Sequence, residues 1–258
     1  MMKQSPSVLL NSTRPCKDNP QPNSVGIVMP MRDGLPFFKL AFHSVLGFTD
    51  YQYTLTIIDN LSGFRTKKYL YALTRNHPIN VLRYDDEFNF SAEVNLGIRF
   101  TFRNPSVKYG LILNADVVVE PHWLSNLVEA LESREDQGVG LAGPVSNIAN
   151  QYQSSNRECS QAIVPYLSGF CLIFKREVFE KVGGFDEGYT GGCYEDRDFC
   201  ERAKSKSYQC LVDRKTYVHH FWRGFRGHGI ESDIEAKKNE EYFYRKFPKL
   251  KKEEGLLV

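Results

Sequence analysis

From Val25 onward, short apolar runs alternate with stretches whose apolar residues fall at helical spacing, and this alternation narrows the possible architectures sharply. Val25-Gly-Ile-Val-Met29 is apolar until Pro30 stops it, the pattern of a buried strand. Leu35 to Leu46 has helical periodicity. Tyr53 to Ile58 is rich in β-branched and aromatic residues and ends in the turn cluster Asp59-Asn60-Leu61-Ser62-Gly63. Phe64 to Arg75 reads as a helix, Ile79 to Arg83 as a strand, Ser91 to Phe102 as a helix capped by Ser91, and Tyr109 to Leu113 as a fourth strand. Such alternation builds an α/β fold with a mostly parallel central sheet flanked by helices on both faces. Ligands of these sheets sit at the carboxyl ends of the strands. Here those ends carry Met31-Arg32-Asp33, Asp59-Asn60 and Asn114-Ala115-Asp116.

The remainder is less regular. Helices are expected at Trp123 to Leu131, Lys175 to Val182, Glu195 to Ser205 and Ile234 to Phe247. Strands are expected at Gly138 to Ala142, Leu167 to Phe174 and Gln209 to Asp213, the last followed by Val218-His219-His220. Residues 147–164 are polar and patternless, a length of loop that is usually functional or mobile. Residues 1–24 are rich in Pro, Ser, Asn and Gln and read as a disordered lead-in, leaving 25–258 as a single domain.

Charge excludes some partners. Lys and Arg total 33 against 31 Asp and Glu, so no general case exists for nucleic acid. The tail from Lys237 to Lys252 is locally basic but interleaved with glutamates; it reads as a solvated helix face, with approach to anionic lipid as the other reading. The six cysteines form no C-x-x-C pair and fit reduced thiols. With no signal-like amino terminus and no bilayer-length apolar run, the expected place is the cytoplasm, with the inner face of a membrane allowed. The sequons at Asn11, Asn60 and Asn89 are then chance matches.

A series of short motifs occurs in a fixed order: Val25 to Pro30, Asp59-Asn60-Leu61-Ser62, Asn95-Leu96-Gly97, Asn114-Ala115-Asp116, Ser168-Gly169, Gly183-Gly184-Phe185-Asp186-Glu187, Glu195-Asp196 and His219-His220. Each is weak alone. Together, over residues 25 to about 247, they make the chain resemble the family 2 glycosyltransferases, which have the GT-A fold, its rhamnosyltransferase-like members included. The resemblance implies an inverting transferase that moves a hexosyl or deoxyhexosyl group from a UDP- or dTDP-sugar to a hydroxyl on a glycan or lipid-linked acceptor, in surface polysaccharide or glycan synthesis.

The same resemblance gives roles to positions. Asp116 matches the carboxylate that holds Mn²⁺ or Mg²⁺ against the diphosphate, and hard oxygen ligands suit such ions. Asn114 stands where many members have a first Asp, and its neutral amide adds no charge. Asn114 and Asp116 would otherwise form a turn capping the helix after Pro121. His219 matches the late metal-binding histidine; adjacent residues on a strand face opposite ways, so only one of His219 and His220 is expected to serve. Asp59 matches the acceptor of a pyrimidine N3–H, and an Asx turn to Ser62 satisfies the same residue. Pro30, Arg32, Asn60, Asn95 and Ala115 complete the expected nucleotide-sugar site. Asp196 matches the base that takes the acceptor proton, with Glu195 beside it, although both acids also suit a helix amino terminus. Ser168, Gly169, Tyr194, Trp222 and Arg223 are expected at the acceptor or in a lid, and Gly191-Gly192 would let the loop before Glu195 move.

Two other readings compete. A sugar nucleotidyltransferase would need a Gly-rich phosphate loop after the first strand, where the chain has Pro30-Met31-Arg32-Asp33-Gly34. A carbohydrate-binding protein on the same fold, inactive as a catalyst, would lack the acid and imidazole positions, which are present.

Overall fold

The computed structural model describes residues 8–11, 24–155, 162–222 and 230–254. Ten strands form one mixed sheet. Its central run comprises β2 (Ser24–Met31), β3 (Tyr53–Asn60), β4 (Ile79–Tyr84) and β5 (Val107–Leu113), all parallel, with β3 and β4 on one side of β2 and β5 on the other. Every residue of β2 is buried, which explains its unbroken apolar run. Strand order reverses between β2 and β5, and a sheet opens a ligand crevice at such a switch point. The β2–β5 ladder ends at Val28 and Ile112, so Pro30 has no ladder bond to interrupt on that side.

Beyond β5 the sheet continues through β9 (Cys171–Lys175), antiparallel to both β5 and β7 (Val139–Ser146), and then β10 (Gln209–His220), parallel to β7. β6 (Val117–Val119) and β8 (Ala162–Val164) pair with opposite ends of β10. The sequence reading broke β10 at Asp213, whereas the strand runs on. Its register against β7 slips between Asp213 and Tyr217, and the Asp213 carboxylate absorbs the irregularity by accepting from Lys215 N and Thr216 Oγ1. Within the expected lead-in, Val8–Asn11 forms an edge strand, β1, antiparallel to β4, and Ser24 belongs to β2.

Helices cover both faces. α1 (Leu35–Phe48), α2 (Phe64–Asn76) and α4 (Trp123–Glu132) bury Phe38, Phe42, Leu70, Trp123 and Leu127 on one. α3 (Phe90–Thr101), α5 (Arg176–Val182) and α6 (Glu195–Lys204) bury Ile98, Val178 and Phe199 on the other. The cap of α3 is Asn89, not Ser91: Asn89 is extended and its side chain accepts from Ala92 N at 2.9 Å, while Ser91 already lies inside the first turn. α7 (Ile230–Lys246) and α8 (Pro248–Glu253) close the chain over a separate aromatic cluster of Tyr189, Phe243 and Tyr244.

Candidate active site

The tips of β5 and β10 meet. Phe221 N donates to the Asp116 carbonyl (3.1 Å), and His220 pairs with Val117 across the β6–β10 ladder. This register turns His220 inward. Its Nε2 stands 3.3 Å from Asp116 Oδ1, and both side chains are buried. His219 packs against Phe221 and lies 3.5 Å from the Tyr217 hydroxyl, so it does not meet Asp116. Strand register thus brings His220 to Asp116, where the sequence expectation favoured His219.

Asn114 and Asp116 do not cap α4, whose preceding residue is His122 in the left-handed conformation without a side-chain cap. Instead, Asn114 N donates to the Phe170 carbonyl (2.8 Å), and the Phe170 ring stacks on His220 at 5.3 Å. Next to Phe170, Gly169 N donates to Asp196 Oδ2 (2.8 Å). One residue pair, Gly169-Phe170, thus joins the Asp116–His220 pair to Asp196. Burial pushes the Asp196 carboxyl above its ordinary range, against the lowering effect of the Gly169 and Arg197 amides. Glu195 is buried beside it at the start of α6.

The patternless segment after β7 proves to be a scaffold for these groups. Asn147 holds both backbone groups of His220: it accepts from His220 N (2.8 Å) and donates to the His220 carbonyl (3.1 Å). Gln153 donates to the Pro144 carbonyl (3.0 Å) and accepts from Ser168 N (2.7 Å), and Asn150 donates to Ser168 Oγ (2.9 Å). Sequence reasoning missed Asn147 and Gln153. Their only signal was a concentration of amides in a stretch without periodicity.

On the other side of the crevice, Asp59 is buried, ion-paired with Arg83, and accepts from Ser62 N (3.2 Å), so the Asx turn is present. Asn60 donates to the carbonyls of Tyr84 (3.3 Å) and Asp86 (3.0 Å). Arg32 is exposed at the end of β2, and Ala115 is buried. Asp33 caps α2 from a neighbouring loop, accepting from Gly63 N and Thr66 Oγ1, both at 2.9 Å.

Asn95 has a different place from the one expected. It is buried in α3, donating to the Phe185 carbonyl (2.8 Å) and Glu187 Oε1 (2.9 Å) and accepting from Phe185 N (2.8 Å). It locks the turn after Gly184 rather than lining the crevice. Gly184 has φ +84°, and a Cβ there would come within 2.7 Å of Asn95 Oδ1. Gly97, two residues on, lets α3 press on β2, since a Cβ would lie 2.4 Å from Val28 Cγ1. The Asn-x-Gly and Gly-Gly-Phe-Asp motifs are thus two halves of one packing contact.

The loop expected to act as a lid is tied on both sides. Phe90 N donates to the Gly191 carbonyl (3.0 Å), and Asn89 donates to the carbonyls of Glu187 (3.0 Å) and Tyr189 (3.1 Å). From α7, buried Asn239 accepts from Thr190 N (3.1 Å) and donates to the carbonyls of Thr190 (2.9 Å) and Cys193 (3.1 Å). Tyr194 is turned to the same helix, its hydroxyl donating to Glu240 (3.0 Å). Trp222 is 54% exposed and meets His220 edge-on at 5.6 Å. Arg223 lies outside the described residues.

The Asp116–His220 pair suits a hard divalent ion. Asp116 Oδ1 and His220 Nε2, 3.3 Å apart, are a carboxylate oxygen and an imidazole nitrogen, donor types that would suit Mn²⁺ or Mg²⁺. Among the described residues no group of three or more His, Cys, Asp or Glu side chains gathers that could hold a metal ion. None of the described helices is long and apolar enough to cross a membrane.

This mixed sheet, with an acid just past the tip of β5 and an imidazole at the end of β10, has the GT-A fold of the solved structures it superposes on. The chain belongs to glycosyl transferase family 2, whose model matches residues 26–183. A second model, the N-terminal domain of galactosyltransferase, matches residues 158–223. The mannosyltransferase PcManGT from Pyrobaculum calidifontis, in complex with GDP-Man and Mn²⁺, superposes with a TM-score of 0.67 at 16% identity, over 96% of this chain and 68% of that one. GalNAc-T7 with UDP, GalNAc and Mn²⁺ gives 0.65 at 16% identity, over 90% and 51%. The O-antigen biosynthesis protein RfbC of Myxococcus xanthus is 24% identical over 231 residues, 76% of this chain. The chain spans 17% of RfbC's length and 27% to 52% of the other curated relatives it matches.

Proposed function

We propose that residues 25–258 form a single glycosyltransferase domain that moves a sugar, with inversion, from a UDP- or dTDP-sugar to a hydroxyl acceptor in surface polysaccharide or glycan synthesis. The observation that carries this reading is the Gly169-Phe170 link, which joins Asp196 to the Asp116–His220 pair by direct contacts. In this reading Asp116 and His220 hold Mn²⁺ or Mg²⁺. That ion supplies charge neutralisation at the leaving diphosphate. Asp59, ion-paired and able only to accept, takes the N3–H of a pyrimidine base. Pro30, Arg32, Asn60, Asn114 and Ala115 line the donor side.

Asp196 takes the proton of the acceptor hydroxyl at Oδ1 or Oδ2 as that oxygen bonds to the anomeric carbon, and Glu195 orients the acceptor. Its raised proton affinity makes it a better base than a solvated aspartate. Ser168, Gly169, Tyr194 and Trp222 border the acceptor side. RfbC's O-antigen role and the nucleotide-sugar complexes of the solved neighbours support this assignment.

The test has two parts. Thermal shift with UDP, dTDP and GDP in Mn²⁺ identifies the nucleotide, because a ligand of the native state raises Tm by mass action. Sugar release is then followed with and without Mn²⁺ for wild type and Asp196→Asn. Equal turnover by both proteins would remove Asp196 as the base.

A further inference from the structure

α2 carries its cations and aromatics in a pattern that its burial does not explain. Thr66, Leu70, Leu73 and Thr74 face the sheet. On the opposite side Phe64, Lys68, Tyr71 and Arg75 follow one another at spacings of four, three and four, which places them in a single outward stripe. Phe64 is 79% exposed and Tyr71 50% exposed. Arg65 and Lys67 flank the stripe, and Lys39 of α1, standing 4.8 Å from the Tyr69 ring, extends it to the next helix beside Leu40, which is 53% exposed.

Neither helix contains an Asp or Glu. The whole chain, by contrast, is nearly balanced at 33 basic to 31 acidic residues. Among the described residues Lys39, Arg65, Lys67, Lys68 and Arg75 form no ion pair. The neighbouring carboxylates are engaged elsewhere: Asp33 caps α2, and Asp50 bonds to His122 and Ser125. The basic tail, the first place the sequence pointed to for lipid, is different. Lys246 is paired inward with Asp186 and Asp198, and Lys251 and Lys252 adjoin Glu253 and Glu254.

We infer that the outward face of α1 and α2 is a docking surface for an anionic lipid bilayer. Cations gain from a negatively charged surface, while exposed aromatic and aliphatic side chains between them enter the boundary between headgroups and acyl chains. A nucleic acid would reward the charge but not Leu40. Phe64 follows the β3 tip by four residues, so the docked face lies at the edge of the sheet that carries Asp59. Resting on the transferase reading, this makes a lipid-linked acceptor, presented at the membrane surface, the natural substrate class.

The test is co-sedimentation of the full chain with phosphatidylcholine vesicles that contain or lack phosphatidylglycerol. Binding is expected only to the anionic vesicles, and is lost near 1 M salt, where the screening length is about 3 Å. Lys68→Gln and Arg75→Gln should each weaken it about fivefold and together about 25-fold. Phe64→Ser should weaken it about tenfold. Lys249→Gln with Lys251→Gln should leave it unchanged. Equal binding to neutral vesicles, loss only in the tail variant, unchanged binding in the α2 variants, or displacement by a single-stranded oligonucleotide at equimolar phosphate would each overturn the inference. Vesicle binding without sugar transfer would overturn the transferase reading alone, and transfer without vesicle binding would overturn the docking alone.

Discussion

The two walls of the crevice are held in place by different means. The donor side stands on β2, β3 and β5, whose positions follow from ladder register and from apolar burial on both faces. The base side stands on α6, and the loop leading into it is suspended by side chains: Asn89 from α3 and Asn239 from α7. Behind that loop Lys246 joins Asp186 to Asp198, and Arg197 is enclosed by Tyr166, Phe243 and Tyr244 with Glu254 as its ion partner. A sheet places groups by repetition; the second wall needs each clamp individually. The donor wall should therefore fail through crowding, and the base wall through loss of single polar partners.

The sharpest division comes from Asp196→Asn. Loss of a general base removes about 10²- to 10⁴-fold in turnover, with donor affinity retained, read by steady-state kinetics and by nucleotide titration. The wild type should also lose kcat/KM as pH falls through a proton affinity above the ordinary carboxylate range, because burial favours the protonated form and the base must be deprotonated. The asparagine variant should lack that acidic limb in a pH–rate profile. His220→Gln should lower Mn²⁺ affinity by about tenfold or more, measured by isothermal titration, whereas His219→Gln should not; the opposite result would reverse the register argument.

Stability separates the walls further. Lys246→Met removes one of the two cations on the fully buried Asp198, which keeps Arg202, and should cost about 1–3 kcal/mol, seen in chemical denaturation. Gly97→Ala forces a methyl against Val28 and should cost about 1–3 kcal/mol. Asn239→Ala removes the three hydrogen bonds of a buried amide and should cost about 1–3 kcal/mol, yet it should lower kcat more than the comparably destabilising Gly97→Ala. If the two variants lose activity in proportion to stability, the clamp has no special role.

The donor wall was readable from sequence because it is periodic. Val25–Pro30, Tyr53–Ile58 and Tyr109–Leu113 announce themselves by composition, and their tips follow automatically. The base wall was legible only as motif order. Asn95 and Gly184 look like ligand contacts in a string of letters, but they touch each other across 89 positions, and no local rule reveals such a pair. Asn147, Gln153 and Asn239 carry no periodic signal, because a side-chain clamp needs one amide at one place. The choice between His219 and His220 depended on where β10 slips against β7, which is set by tertiary pairing.

That slip has a consequence for how the chain tolerates insertion. Residues alternate sides along a strand, so inserting one residue between Asp213 and Tyr217, where register is already irregular, would turn everything after it by one face. In most strands this would withdraw the functional side chain. Here the preceding residue is also a histidine, so the inserted residue would bring His219 into the place of His220 opposite Asp116, and the doubled imidazole lets this strand tip absorb a one-residue insertion.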